Sequence, residues 1–332
     1  MNWRYKALLQ TSIARMPMSD HIYYLVQRSI GQLKKGQFDP QEWIVAAAEM
    51  LEWLQRGGHS IAGKRFLEVG TGQALGIPLI LWLCGAEQTV TVDVNRYLSA
   101  TLVKESNEYF VRNADKIHQI YKAYDDGGFR SRLSKLSAFS GDLATFLDLI
   151  HVDYHSPADA TQLRFPEHSF DFHYSYSVFE HVPPLIIAAI LKEARRVLRP
   201  RGVLFHTIDL SDHFFYGDDS ITRINFLRFS DKQWHRWAGN KYMYHNRLRV
   251  AEHLKLFETA GVSLERESRA VDERSLEALK NGFPLYSGFQ SARPEELAVT
   301  ALQVMGHFPD LRSDDVVQAH SNSHAIEWKH LK

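Results

Sequence analysis

The stretch Phe66-Leu67-Glu68-Val69-Gly70-Thr71-Gly72, followed by Asp93 at the close of the apolar run Thr89-Val90-Thr91-Val92, constrains this chain more than any other feature. An apolar run that stops at glycines reads as a buried strand ending in a tight turn. Without a Cβ, the backbone there lets N–H groups and a helix start approach a ligand. A carboxylate at the tip of the next strand, about twenty residues on, can grip both hydroxyls of a ribose. Strand, glycine turn, helix, strand and acid in that order predict a nucleotide-type cofactor site.

With 332 residues and 45% hydrophobic content, the chain can bury one large core, or one core plus a small cap, and is not a disordered polymer. Lys+Arg and Asp+Glu are both 39, so no summed field draws it to nucleic acid or anionic lipid. Its single cysteine, Cys84, follows the apolar run Leu79-Ile80-Leu81-Trp82-Leu83 and can form neither an internal disulfide nor a Cys-based zinc site, which leaves it as core filler. The N-terminus lacks the apolar stretch of a secretory signal, and no apolar run approaches the roughly eighteen residues of a membrane span. These features predict a soluble cytoplasmic protein with no integral membrane segment and no nucleic-acid partner. They leave the oligomeric state open.

Two helices are expected before the glycine turn, over residues 19–32 and from Asp39-Pro40 to Gly57-Gly58. In the second, Trp43, Ala46, Ala47, Met50, Leu51 and Leu54 recur at helical spacing. Residues 1–60 thus read as an N-terminal helical cap. Strand 65–69, helix 74–84, strand 89–94 and helix 97–112 then alternate as a parallel sheet with helical crossovers requires. An insertion at about 113–150 reads as extra helices. Next come a strand near 152–154, strand 170–176, helix 183–198 and strand 203–208, entered through Pro200-Arg201-Gly202. A second insertion, 211–249, is rich in aromatic, His and Arg residues without one clean period. Helix 250–260 and strand-like runs at 262–266 and 297–305 complete the pattern. The last residues, 309–332, read as a polar, poorly ordered tail carrying His320, His324 and His330.

The motifs resemble, in order, those of class I S-adenosylmethionine-dependent methyltransferases. Phe66 to Ala74 is similar to the family's first motif, and Val92-Asp93-Val94 to the acidic end of its second strand. Asp159-Ala160, with Pro166 and Phe170-Asp171 following, is similar to the adenine-side loop and fourth strand. Ser177-Val178-Phe179-Glu180-His181-Val182 and Glu193 to Leu204 resemble what comes next. The resemblance implies a doubly wound, mostly parallel, seven-stranded Rossmann-like α/β sheet with an antiparallel last strand, and S-adenosyl-L-methionine as cofactor. It further implies that Gly70 and Gly72 let the backbone approach the methionyl group and that Glu68 orients that loop. Asp93 would accept from the ribose hydroxyls, while Asp159 and the Ala160 N–H would read the adenine. Ala74 stands where the family often has a third glycine.

Methyl transfer to a hydroxyl needs an aligned oxygen and removal of its proton. The strands' carboxyl ends, where open α/β sheets hold their ligands, carry Glu180, His181, His206, Asp209, Asp212 and His213. Of these, His181, His213 and Asp209 are the candidate catalytic residues. No resident metal is assigned, although Asp209, Asp212 and His213 offer one possible set of cation ligands. The segment Arg223 to Ser230, with Trp234, Trp237, Tyr242, Tyr244, Asn246, Arg247 and Arg249, resembles methyltransferases of bacterial sugar and surface-glycan modification. Its aromatic faces and Arg donors suit a glycan or other small-molecule acceptor, or else form the insertion's own small core. Two other readings compete. An NAD(P)-dependent oxidoreductase shares the strand-turn-helix-acid order, but the chain has no Tyr-x-x-x-Lys pair. A non-enzymatic cofactor-binding or assembly protein is the second.

Overall fold

A computed structural model describes residues 1–30 and 39–309; the predicted tail beyond these and the predicted end of the helix over 19–32 lie outside the described residues. Seven strands form one sheet in the order β3-β2-β1-β4-β5-β7-β6. They are β1 (Arg65–Val69), β2 (Gln88–Val92), β3 (Val152–His155), β4 (Phe170–Tyr176), β5 (Leu198–Asp209), β6 (Ser263–Val271) and β7 (Val299–His307). The pairs from β3 to β5 are parallel, and β7 alone runs against both its neighbours.

Alternation along each strand sends side chains to two separate cores. Phe66, Phe172, Tyr174, Val203 and Phe205 face one side, while Leu67, Val69, Leu204 and Ile208 face the other. On the first side lie α3 (Gln41–Arg56), α4 (Gly76–Leu83), α5 (Ala100–Arg112), α6 (Ala114–Tyr121), α7 (Phe129–Ala138) and α8 (Leu143–Leu149), preceded in the chain by α1 (Trp3–Ala14) and α2 (Ser19–Ile30), which contribute no described residue to this core. Against the second pack α9 (Pro184–Val197) and α11 (Val250–Thr259), whereas α10 (Asp231–Ala238) and α12 (Glu273–Lys280) turn apolar residues to a third core.

Three boundaries differ from expectation for physical reasons. Helix α4 opens at Gly76 rather than residue 74, because Gly72 with φ +63° still belongs to the turn. Helix α5 opens after Ser99, whose side chain accepts from the Leu102 N–H. Strand β5 already pairs at Leu198, with a register shift opposite Phe170/Phe172 and Arg201 at φ +62°, so Pro200-Arg201-Gly202 is an irregularity within the strand and not the turn before it. A helix at the N-terminus, α1, was not expected. It is held by Trp3 and Ala7, which enter the third core with Phe214, Phe226, Leu227 and Trp234 of the 211–249 insertion.

That insertion is fastened by two arginines. Arg247, at φ +60°, donates to the carbonyls of Phe226 and Phe229 and pairs with Asp231. Arg249 is 6% exposed and donates to the carbonyls of Leu210, Leu297 and Val299, tying the insertion's two ends to the start of β7. Buried carbonyls that lose a charged donor keep their desolvation cost. Arg249→Met is expected to lower unfolding free energy by at least about 2 kcal/mol, read as a reduced urea midpoint at an unchanged denaturant slope.

Candidate active site

The carboxyl ends of β1, β2 and β4 open into a cleft of 920 Å³, a size typical of cofactor pockets. Gly70 ends β1 at φ +87°, its N–H donates 2.8 Å to the Val92 carbonyl, and a Cβ on it would come within 2.4 Å of Val178 Cγ2. At Gly72, φ +63°, the Cβ position faces open space. Asp93 joins the two strands: Oδ2 accepts from the Gly72 N–H at 3.1 Å and Oδ1 from the Asn95 N–H at 2.8 Å. Burial raises the Asp93 pKa, and those two N–H groups oppose the rise. Beneath the turn, Glu68 accepts from Thr91 Oγ1 at 2.7 Å, and burial pushes its pKa up to about 8. Asp159, on the opposite wall, takes the Thr161 N–H and hydroxyl on a single oxygen, beside buried Ala160.

Glu68, Gly70, Gly72, Asp93, Asp159 and Ala160 therefore all line this one cleft. Gln73, also on the wall, has a buried Oε1 with no hydrogen-bond partner among the described residues. Open space at Gly72, an unsatisfied acceptor and a carboxylate anchored by backbone donors form a cradle that fits the polar, zwitterionic and ribosyl parts of S-adenosylmethionine.

The cleft's inner end meets a second cluster. His181 lines the cleft in the turn after β4, and its Nδ1 lies 2.8 Å from the Tyr244 carbonyl. A carbonyl only accepts, so Nδ1 carries the proton and Nε2 keeps its lone pair. One edge of the ring is open to the cleft, yet packing around it and then the neighbouring His213 lower its pKa to about 4. The rings of His181 and His213 are 4.8 Å apart, and His213 Nε2 stands 3.1 Å from Asp209 Oδ2 without hydrogen-bond alignment. Burial pushes Asp209 up, but His213, the Tyr216 hydroxyl at 2.7 Å and Ser211 outweigh it, holding the carboxyl well below the usual range. Glu180 is fully buried, neither of its oxygens has a hydrogen-bond partner among the described residues, and burial drives its pKa far above the ordinary value.

His181, His213 and Asp209 are thus brought together, while other candidates are drawn elsewhere. Asp212 is 1% exposed and gives its oxygens to the Phe214 N–H and Asn225 Nδ2, so the set Asp209, Asp212 and His213 is split. His206 is enclosed in the core, its Nδ1 2.8 Å from Ser175 Oγ. Phe226, Phe229 and Trp234 belong to the insertion's own core. Arg247 and Arg249 hold backbone carbonyls, and Asn246 Nδ2 donates to the carbonyls of Phe179 and Val182. The segment read as an acceptor surface is therefore mostly scaffold. Tyr242 and Tyr244, expected on the acceptor side, do line the cleft; unforeseen in the sequence are His245, whose ring lies 5.1 Å from that of His213, and Tyr23, Tyr24 and Tyr176 on the same wall.

Residues 143–206, spanning β3, β4, α9 and most of β5, match the family model described as a methyltransferase domain. No curated protein matches the chain. Among solved structures, a Pyrococcus horikoshii protein is similar at 14% identity and TM-score 0.46, covering 87% of this chain and 99% of its own. A sarcosine dimethylglycine methyltransferase assigned in Galdieria sulphuraria shows 17% identity and TM-score 0.44, covering 80% and 86%. A SAM-dependent methyltransferase from Methanosarcina mazei shows 14% and 0.42, covering 77% and 98%. A methyltransferase-domain match on this sheet, ending beside a cradle of this shape, makes the protein a methyltransferase enzyme whose cofactor is S-adenosylmethionine.

Proposed function

We propose that the protein methylates a hydroxyl, or an amine, of a small polar molecule of the sugar or glycan class. The carrying observation is the cluster of His181, His213 and Asp209 beyond the ends of β4 and β5, in which His181 lines the cofactor cleft and His213 and Asp209 stand behind it. When bound, S-adenosylmethionine supplies an electrophilic methyl on a sulfonium. Gly70 and Gly72 give its methionyl part backbone access, Glu68 steadies that turn, Asp93 accepts from the ribose, and Asp159 with the Ala160 N–H reads the adenine. Helix α2 and the 211–249 insertion meet at the cleft, where Tyr23 stacks on Tyr242 at 4.1 Å and Lys241 pairs with Asp20 at 2.6 Å, and so limit the access of water. The acceptor then lies along the tyrosine wall, whose faces and hydroxyls suit a sugar, and loses its proton at the histidine cluster.

Asp93→Ala is expected to weaken S-adenosylmethionine binding at least tenfold by calorimetry, as befits charge-assisted bonds worth roughly 1.5–3 kcal/mol. Unchanged affinity in the folded variant would remove Asp93 from the ribose. The two glycines should separate: Gly70→Ala meets Val178 and loses thermal stability, whereas Gly72→Ala bears only the left-handed φ, about 1–2 kcal/mol, and loses cofactor affinity more than stability. With a glycan acceptor in hand, Ala variants at His181 and His213 should each lower kcat by about a hundredfold while cofactor affinity stays within threefold of wild type. Near-normal turnover in both would place proton removal elsewhere.

A further inference from the structure

We infer that Glu180, His181 and His213 form a binding site for a divalent transition-metal cation at the inner end of the cleft. One ligand atom from each residue lies within 4.8 Å of the other two. Donors bound to one ion at about 2.0–2.2 Å stand up to roughly 4 Å apart, so the three close on a cation by sub-ångström side-chain shifts. Two imidazoles and a carboxylate on one side of an ion, with positions open on the other, are the donor set of catalytic zinc and of non-haem iron sites.

Three independent features point to a ligand at this spot. Glu180 is 0% exposed and both its oxygens lack hydrogen-bond partners among the described residues, an arrangement that costs free energy unless a cation meets the carboxylate. The Tyr244 carbonyl fixes the His181 tautomer from behind and leaves Nε2 as the donor, as outer partners of metal-bound histidines do. Asp209 Oδ2 stands 3.1 Å from His213 Nε2 and adds negative charge beside the cluster. His245, 6% exposed with Nε2 unpartnered, completes the ring of imidazoles at 5.1 Å from His213 and 6.0 Å from His181. The site differs from the Asp209, Asp212 and His213 set considered in the sequence, because Asp212 is committed to the insertion.

The cation's use rests on the methyl-transfer reading and replaces the imidazole base within it, since a metal-bound nitrogen has no lone pair left for a proton: the cation would hold the acceptor's oxygen beside the methyl-donor cleft and make its proton easier to lose, as Lewis-acid metals do for oxygen ligands. Its binding does not depend on that reading. The test is calorimetric titration of zinc into chelator-stripped full-length protein, paralleled by cobalt(II) followed through its visible absorption. The inference expects one equivalent bound with micromolar or tighter affinity and a cobalt spectrum of nitrogen–oxygen ligation. Glu180→Gln and His213→Ala should each weaken zinc at least tenfold while S-adenosylmethionine affinity is kept. His213 lies in a loop, so its variant remains informative if Glu180→Gln fails to fold. Absence of saturable one-equivalent binding to the wild type would overturn the site, as would zinc affinity unchanged in folded His213→Ala. Zinc bound as expected, with turnover of a glycan acceptor indifferent to stripping, would retain the site and sink the link to methyl transfer.

Discussion

The turn at Gly70 to Gly72 is held to the neighbouring strand from two directions, and the cleft exists because of it. Val92 receives the Gly70 N–H and Asp93 receives the Gly72 N–H, so the end of β1 is closed against the end of β2 by groups that then face the ligand. Val178, just beyond β4, fills the space a side chain on Gly70 would need, which brings the third strand's exit up to the same point. Three parallel strands therefore terminate in register around one opening. A parallel sheet makes this inevitable in direction, since every carboxyl end points the same way, but only glycine makes it close enough to be a cradle.

The opposite wall is built by a different kind of force. The 211–249 insertion has little regular structure, with α10 its one longer helix, and its backbone needs partners that no sheet supplies. Arg247 and Arg249 provide them, each presenting a guanidinium fork to carbonyls contributed by separate parts of the chain. With the insertion so fixed, Tyr242 and Tyr244 reach the cleft, and the Tyr244 carbonyl reaches His181. The same clamp that brings Tyr242 and Tyr244 to the cleft thus orients the His181 ring.

What the sequence made readable followed from locality. The glycine turn, Asp93, the helix stopped by Gly57-Gly58 and the apolar central strands are each encoded within a few residues, whereas the largely exposed edge strand β6 was expected only to residue 266 and runs on to Val271. Arg247 and Arg249 were read as ligand donors because an arginine's partners are invisible when they are carbonyls 18 to 50 residues away. Helix α1 escaped notice because Trp3, Ala7, Gln10 and Ile13 make a weak apolar stripe, and its burial comes from the insertion more than two hundred residues on. His245 carried no signal at all: a histidine in an aromatic-rich loop gains meaning only when folding sets it against His181 and His213.

The two halves of the cleft also differ in how they manage charge. On the cofactor side, Asp93 is offset by two backbone N–H groups and Glu68 by Thr91, so their carboxylates are served by neutral donors. Around His181, Asp209 faces His213, while neither oxygen of Glu180 has a hydrogen-bond partner among the described residues. Desolvation favours the neutral imidazole at His181 and the neutral acid at Glu180 when only protein surrounds them. A cation reverses that balance, because it binds imidazole in its neutral form and carboxylate in its charged form.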